Sequence, residues 1–326
     1  MRVVALEEHF TIPSLMQRID PNAIARRGFP PGFGAALERQ LADIGAQRIA
    51  DMDDAGITMN VLSLAGPGAD LVDGRDGIAL ARDINNTLAD AVSAHPQRLA
   101  GFAHLPMASP EAAADELERT VHDHGFCGAL INGLTDGRFL DDPVFEPILQ
   151  RAEQLGVPIY VHPNLPPEPV RKAYYDGLPG HAGFTLSIAG WGWHSEVAIH
   201  VLRLALSGAL DRHPRLKLIV GHMGEGLPAM LARCDQVFAR DVGHLKRPLS
   251  EIITDQVYVT TSGLFTQPPL EVALAVFGID RVLFSIDYPY SSNRQAKAFL
   301  DSVKLSGGDL EKLAHANADQ VLKLRL

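Results

Sequence analysis

The chain has 326 residues, of which 46% are hydrophobic and 21% are charged, so it can bury a substantial core. Its formal net charge of −10, without a basic stripe, argues against nucleic acid and anionic membranes as partners. No apolar run is long enough for a signal peptide or a membrane span, so we expect a cytoplasmic protein. Its two cysteines, Cys127 and Cys234, are predicted to be free thiols.

Eight short apolar runs, rich in β-branched residues, recur along the chain and alternate with helical segments. Strands are predicted at 3–6, 58–64, 99–105, 127–132, 158–162, 216–222, 257–261 and 282–287. Most of these runs are continuously apolar, which is typical of parallel strands buried on both faces. Eight repeats of strand and helix predict an α/β protein that folds as one (β/α)₈ TIM barrel over residues 1–326.

Helix signals fill the gaps between these strands. A proline in the first turn follows Ser109 and Asp142, and a glycine ends each of these helices, at Gly125 and Gly156. Further helices are predicted in the segment before Gly56 and at 194–210, 225–240 and 309–324. Two stretches rich in Pro and Gly, 11–34 and 163–190, are predicted to be irregular lid loops over the mouth of the barrel.

Residues of metal-binding types recur where the predicted strands end. Glu7 and His9 follow the first strand, and residues i and i+2 of a strand point to the same side. His162, His222 and Asp287 end the fifth, sixth and eighth strands. A closed barrel brings these ends to one rim, so the residues are expected to converge. Carboxylates and imidazoles together suit Zn²⁺ or Mn²⁺, with Mg²⁺ as a further option.

Each of these residues also has a structural interpretation. A single histidine is most often hydrogen-bonded or exposed, Glu7 could be an ordinary charge facing a helix, and Asp287 could begin a turn. His104 follows the third strand but is not counted as a ligand. Histidines in or beside helices are interpreted as structural, namely His122, His124, His194, His200 and His213. The recurrence at several strand ends favours the functional interpretation.

Five motifs lie along the chain in a fixed order. They are ALEEHF (5–10), VHP (161–163), WGWH (191–194), GHMGE (221–225) and IDYPY (286–290). Together they resemble the amidohydrolase superfamily and, within it, the aromatic decarboxylases of γ-resorcylate and 2,3-dihydroxybenzoate. Many relatives begin with His-x-His, as do the aminocarboxymuconate-semialdehyde decarboxylases, whereas this chain has Glu7 at the first position. The predicted fourth strand also lacks the lysine of binuclear relatives, so the resemblance implies one divalent metal ion.

The resemblance also implies roles for single residues. The implied metal ligands are Glu7, His9, His162 and Asp287. The implied catalytic residues are Asp287, His222 and Glu225. His222 and Glu225 are implied to act as a pair that positions or relays protons. The implied substrate-binding residues are Arg233, Tyr290, Asn293 and Trp193. Arg233 could instead form an exposed salt bridge, Tyr290 could pack on the rim, and Trp193 could cover the core.

The implied reaction is the non-oxidative decarboxylation of an ortho-hydroxybenzoate such as 2,6-dihydroxybenzoate. Asp287 would protonate the ring carbon that bears the carboxylate, CO₂ and a phenol would be released, and the reaction could also run in reverse. No organic cofactor is expected, and the family implies a homo-oligomer, either a dimer or a tetramer. A metal-dependent hydrolase of an ester, lactone or amide, a hydratase, and a non-catalytic barrel with a structural metal remain as alternatives.

Overall fold

Eight short parallel strands form the centre of the computed structural model, which describes residues 1–27 and 35–324. The strands are β1 (Val4–Phe10), β2 (Met59–Leu64), β3 (Leu99–Gly101), β4 (Ala129–Asn132), β5 (Ile159–His162), β6 (Leu218–Val220), β7 (Val257–Thr260) and β8 (Val282–Leu283). They pair in chain order as a sheet of β1 to β3 and a sheet of β4 to β8. A parallel bridge between Ala103 and Ala129 connects the two sheets.

Helices follow the strands and cover the barrel. They are α1 (Leu15–Arg18), α2 (Pro21–Arg27), α3 (Ala35–Ala42), α4 (Ala46–Ala55), α5 (Gly74–Ala94), α6 (Pro110–His124), α7 (Glu146–Leu155), α8 (Glu168–Tyr174), α9 (Ala182–Ser187), α10 (Gly192–Leu206), α11 (Ala209–Arg212), α12 (Leu227–Phe238), α13 (Leu249–Gln256), α14 (Gln267–Phe277), α15 (Asn293–Ser302), α16 (Gly307–Glu311) and α17 (Asn317–Leu322). Within the described ranges, no helix has both the length and the apolar content needed to cross a bilayer.

Two groups of apolar side chains hold the layers together. The larger group lies between the strands and the helices. The smaller group includes Leu6, Tyr160 and Ile219 and takes side chains from most of the strands, so it fills the interior of the barrel. Both cysteines are free, with Cys127 buried and Cys234 half-buried. The predicted α/β barrel is therefore confirmed, as are the free thiols.

The barrel closes where β8 meets β1, and the hydrogen bonds at this seam involve side chains as well as backbone. The N–H of His9 donates to the carbonyl of Tyr288 at 2.7 Å. The N–H of Glu7 donates to the Ser285 hydroxyl oxygen, also at 2.7 Å. β8 has only two residues and belongs to a different sheet from β1, so these contacts from the segment after β8 connect the two sheets.

Glu8 completes the closure from inside the protein. Its side chain is 0% exposed, and its two oxygens accept the N–H groups of Ile286 at 3.0 Å and Tyr288 at 3.2 Å. Burial raises the pKa of Glu8 to about 8, although both N–H groups and the nearby Arg48 favour its charged form. Arg48 is buried too, donates to the carbonyl of His9 at 2.5 Å, and lies over the Tyr288 ring.

Several predicted boundaries move in the structure. The first strand continues to Phe10, so Glu7 and His9 lie within β1. Glu7 falls in an irregularity of the pairing with β2, and His9 lies just beyond it. The eighth strand ends at Leu283, so Asp287 lies in the following loop. The helix predicted at 225–240 begins at Leu227, because Glu225 has left-handed backbone angles.

Other helix predictions fare better. The helices ending at Gly125 and Gly156 are confirmed, and both glycines have the positive φ that ends a helix without a steric cost. The segment predicted at 194–210 is divided between α10 and α11, and the last helix contains a π-helical turn at Lys312–Ala316. Both predicted lid loops contain short helices, and residues 28–34 of the first lie outside the described residues.

We expect Glu8→Gln to destabilise the protein. One side-chain oxygen would become an NH₂ group facing a backbone N–H, so one of the two buried donors would lose its acceptor. The free energy of unfolding should fall by about 1–3 kcal/mol in urea denaturation. Glu311→Gln, at an exposed position, is the matched control, and an equal effect of both substitutions would contradict this role of Glu8.

Candidate metal centre and substrate pocket

Four of the residues predicted at strand ends meet at one point. Glu7 Oε1 lies 3.2 Å from His162 Nε2, and His9 Nε2 lies 3.3 Å from Asp287 Oδ1. The His9 and His162 rings are 4.8 Å apart and meet edge to face. The ligand atoms of Glu7, His9 and His162 all lie within 4.8 Å of one another. The structure thus brings together Glu7, His9 and His162, and Asp287 lies beside this group in contact with His9.

The lone pairs at this point are not used by the protein. Glu7 Oε1 and His9 Nε2 are buried, and neither has a hydrogen-bond partner in the part of the chain that the structure describes. Buried polar atoms are normally paired, so two unpaired atoms facing one point need an explanation. A divalent cation that accepts oxygen and nitrogen donors fits this arrangement, and Zn²⁺ and Mn²⁺ both have this preference.

The second oxygen of Glu7 is held by hydroxyl groups. Tyr160 and Ser262 both donate to Glu7 Oε2, and Thr260 Oγ1 lies 3.0 Å from the Tyr160 oxygen. Burial raises the pKa of Tyr160 well above its usual value, and the charge of Glu7 raises it further, so the phenol remains a donor. Gly221 permits this approach, because a Cβ there would lie 2.7 Å from Glu7 Oε2.

The acidic groups at the centre are held in their ionised forms. Burial raises the pKa of Glu7, but the imidazoles of His222 and His162 lower it below its usual value. Burial also raises the pKa of Asp287, and the adjacent His222 and His9 rings lower it to about 2. Two carboxylates are therefore available to balance a divalent cation.

His222 forms a hydrogen-bonded group beside the metal-ligand cluster. Its Nδ1 lies 2.7 Å from Glu225 Oε1, and its Nε2 lies 3.9 Å from Asp287 Oδ2. Burial lowers the pKa of His222, yet Glu225, Glu7 and Asp287 raise it well above its usual value. Burial raises the pKa of Glu225, and His222 and His194 lower it to about 2. The structure therefore favours an imidazolium between two carboxylates.

The three predicted catalytic residues share an unusual backbone conformation. The φ angles of Asp287, His222 and Glu225 are 72°, 47° and 56°. Left-handed backbone costs a non-glycine residue roughly 1–2 kcal/mol. Such residues cluster at sites where the surrounding structure fixes a side chain in place. The sequence gives no direct sign of this conformation.

A pocket of about 300 Å³ opens over these residues. His9, His162, His222 and Asp287 lie at its polar end, and Asn132 adds an amide beside them. The wall is largely apolar and includes Leu37, Leu165, Phe184, Ile188 and Trp193. None of the described residues that line this pocket is a lysine or an arginine. Its size and lining suit a small, flat ligand.

The predicted substrate-binding residues divide into two pairs. Trp193 and Tyr290 line the pocket, and the Tyr290 ring lies 5.5 Å from the His9 ring. Asn293 does not line it, because its side chain is buried at the start of α15 and points toward the carbonyl of Asp51. Arg233 does not line it either, because it lies on the exposed face of α12.

The histidines interpreted as structural also divide. Burial lowers the pKa of His200 to about 3, and this ring accepts the N–H of Leu140 at 2.9 Å. His104 accepts the N–H of Ala69 in the same way. His194 differs from both, because it hydrogen-bonds to Glu225, one of the predicted catalytic residues.

Three contributors to the site, Tyr160, Glu8 and His194, were missed from the sequence. Tyr160 could have been found, because it precedes His162 by two residues on one strand and so faces the same side. Glu8 and His194 lie in the ALEEHF and WGWH motifs, but the motifs did not indicate their roles, since their partners are distant in the chain.

An α/β barrel with this group of ligands defines a metal-dependent enzyme fold, and comparison with known proteins assigns its family. A family model described as amidohydrolase matches residues 22–324, and the chain belongs to this family. The gamma-resorcylate decarboxylase of Rhizobium sp. strain MTP-10005 is 38% identical to it, over 98% of each chain. The predicted resemblance to the aromatic decarboxylase branch is therefore confirmed.

Solved structures agree with this assignment. A 2,6-dihydroxybenzoate decarboxylase in complex with 2,6-dihydroxybenzoate is 37% identical, has a TM-score of 0.88, and is matched over 99% of this chain and 100% of that chain. A dihydroxybenzoic acid decarboxylase of Polaromonas sp. JS666, with bound manganese and the inhibitor 2-nitroresorcinol, is 35% identical. Its TM-score is also 0.88, and the match covers 100% of this chain and 98% of that chain.

We expect Tyr160→Phe to weaken metal binding. The substitution removes a donor to Glu7 Oε2, so the carboxylate would lose part of its orientation and its other oxygen would be less well placed. The affinity for Mn²⁺ should fall about 10- to 100-fold in calorimetric titration of chelator-treated protein. Tyr258→Phe, in the neighbouring strand β7, is the control, and unchanged affinity in the Tyr160 variant would contradict the role of this hydroxyl.

Proposed function

We propose that this chain is a metal-dependent, non-oxidative decarboxylase of an ortho-hydroxybenzoate resembling 2,6-dihydroxybenzoate. The observation that carries the proposal is the pair of unpaired ligand atoms, Glu7 Oε1 and His9 Nε2, beneath an apolar-walled pocket of about 300 Å³. The names of its relatives support the reaction and the substrate class. Its two free cysteines support a reducing compartment, the cytoplasm.

Glu7, His9, His162 and Asp287 would hold one divalent ion, either Mn²⁺ or Zn²⁺, with Mg²⁺ as a further option. Manganese in a related structure supports the first of these. When bound, the ion supplies positive charge that polarises the phenolic and carboxylate oxygens of the substrate. No organic cofactor is needed for this reaction.

The pocket wall provides orientation and excludes water. Phe184, Ile188 and Trp193 offer apolar surface to an aromatic ring, and this surface suits CO₂ as a leaving molecule. Because the described lining contains no lysine or arginine, His222 is the cationic side chain of the described lining that could interact with the substrate carboxylate. The polar end, with Asp287 and His222, would therefore fix how the ring is oriented.

Asp287 carries the proton in this proposal. It is ionised at rest, since its pKa is about 2, and it takes the proton of the substrate's ortho hydroxyl. It then gives this proton to the ring carbon that bears the carboxylate. The bond between this carbon and the carboxylate breaks, its electron pair returns to the ring, and CO₂ leaves.

His222 and Glu225 support these transfers. The imidazolium of His222 faces Asp287 Oδ2, and Glu225 holds its other nitrogen at 2.7 Å. The positive charge of His222 stabilises the anionic form of Asp287 between turnovers. The product leaves as a phenol after its oxygen regains a proton, and one proton is drawn from solvent for each CO₂ formed from a carboxylate anion.

Asp287→Asn should nearly abolish decarboxylation, because an amide cannot carry the proton. With Mn²⁺ and 2,6-dihydroxybenzoate, kcat should fall about 10²- to 10⁴-fold, measured by CO₂ release and resorcinol formation. Asp136→Asn is the matched control, since Asp136 is also left-handed but exposed. Near-normal turnover of the Asp287 variant would refute the assigned acid.

A substrate that lacks the ortho hydroxyl and removal of the metal ion provide two controls for the decarboxylase activity. We expect no CO₂ from 3,5-dihydroxybenzoate, which lacks an ortho hydroxyl, and no activity after treatment with a chelator until a divalent ion is restored. Hydrolysis of aryl esters or lactones without decarboxylation of any hydroxybenzoate would favour the hydrolase instead.

The proposal includes a homo-oligomer, either a dimer or a tetramer. Large apolar side chains are exposed on or beside α10 and α12, namely those of Trp191, Ile199, Met230 and Val237. Exposed apolar surface of this kind is typical of protein interfaces.

Light scattering should give a mass of two or four times 35.3 kDa. Ile199→Glu should lower that mass, because it would place a charge in the buried interface, whereas Val144→Glu, also at an exposed apolar position, should not. A monomeric wild-type protein would contradict the proposed assembly.

A further inference from the structure

Glu225 binds two histidines, one on each carboxylate oxygen. His222 Nδ1 lies 2.7 Å from Oε1, and His194 Nδ1 contacts Oε2. The two rings meet edge to face with centroids 4.7 Å apart. Glu225 itself is 5% exposed, so its carboxylate depends on these partners for its orientation.

His194 has a second hydrogen bond that fixes its ring. Its Nε2 lies 3.0 Å from the carbonyl oxygen of Ala189. The carboxylate of Glu225 and the carbonyl of Ala189 thus present acceptor oxygens to the two ring nitrogens of His194. The ring therefore bridges Glu225 and the backbone just before α10.

The backbone that His194 contacts is part of the pocket wall. Ile188, Ala189 and Trp193 all line the pocket, and His194 follows Trp193 directly. A ligand that presses on this wall would act on the same segment that His194 ties to Glu225. The wall carbonyl of Ala189 and the ring of His222 are thus joined by three consecutive hydrogen bonds, through His194 and Glu225.

We propose that His194 is a positioning residue, which couples the pocket wall at 188–193 to the orientation of His222 through Glu225. This inference rests on the proposed decarboxylase function for its kinetic consequence. The bond from His194 is charge-assisted and holds Glu225 Oε2 in place, so Oε1 remains directed at His222 Nδ1. A histidine that only stabilised the start of α10 would not affect His222 in this way.

Three substitutions separate the two bonds of His194. Asn places its side-chain NH₂ near the position of Nδ1, so His194→Asn keeps a donor for Glu225. Gln places its NH₂ near the position of Nε2, so His194→Gln keeps a donor for Ala189. His194→Phe keeps the ring shape without either donor, and His122→Phe, at an exposed position, is the control.

Steady-state kinetics provide the first test. We expect kcat to fall about 10- to 100-fold in the Gln and Phe variants, with KM changed by less than about threefold and metal content unchanged. The Asn variant should retain about tenfold more kcat than the Gln variant. Equal kcat values for the Asn and Gln variants, or a change confined to KM, would overturn the proposal.

A spectroscopic test does not depend on catalysis. In protein labelled with ¹⁵N-histidine, the ring resonances of His222 should shift in the Gln and Phe variants and remain close to wild type in the Asn variant. Unchanged His222 resonances in the Gln and Phe variants would overturn the proposal, even if rates fell. If wild-type protein released no CO₂, the proposed function would fail, while this spectrum would still decide the role of His194.

Discussion

Buried carboxylate oxygens complete the contact between β8 and β1. Glu8 accepts the N–H groups of Ile286 and Tyr288, which flank Asp287 on both sides. With both neighbours anchored, Asp287 is held at a φ of 72° that an aspartate would otherwise rarely adopt. The hydrogen bonds at Glu8 offset only part of the cost of burying its charge, and the remaining cost raises its pKa to about 8. The catalytic arrangement therefore depends on a residue that does not line the pocket.

Charge alternates through the site. The carboxylates of Glu7, Asp287 and Glu225 are separated by imidazoles, so each ionised group faces an opposite or neutral partner. This arrangement explains why the buried Glu225 and the half-buried Asp287 remain anionic, and why His222 remains protonated. In the proposed function, two ligand carboxylates cancel the charge of one dication, so an anionic substrate meets little net repulsion.

The barrel and the proximity of Glu7, His9, His162 and Asp287 could be predicted from the sequence because both follow from local patterns. Strands buried on both faces appear as continuous apolar runs, and a barrel brings their carboxyl ends to one rim. Positions that depend on non-local contacts could not be predicted. The left-handed backbone of Asp287 depends on Glu8, some 280 residues earlier. Arg233 and Asn293 were predicted to bind substrate from the family resemblance alone. Neither lines the pocket within the described chain.

The origin of the four convergent side chains also affects how the protein is made. Glu7 and His9 belong to the three-stranded sheet, whereas His162 and Asp287 come from the five-stranded sheet or the loop that follows it. During synthesis the first two residues leave the ribosome long before the last. The nascent chain therefore cannot assemble all four proposed ligands until about nine-tenths of it has been translated, so binding of a metal ion to the proposed site would follow closure of the barrel.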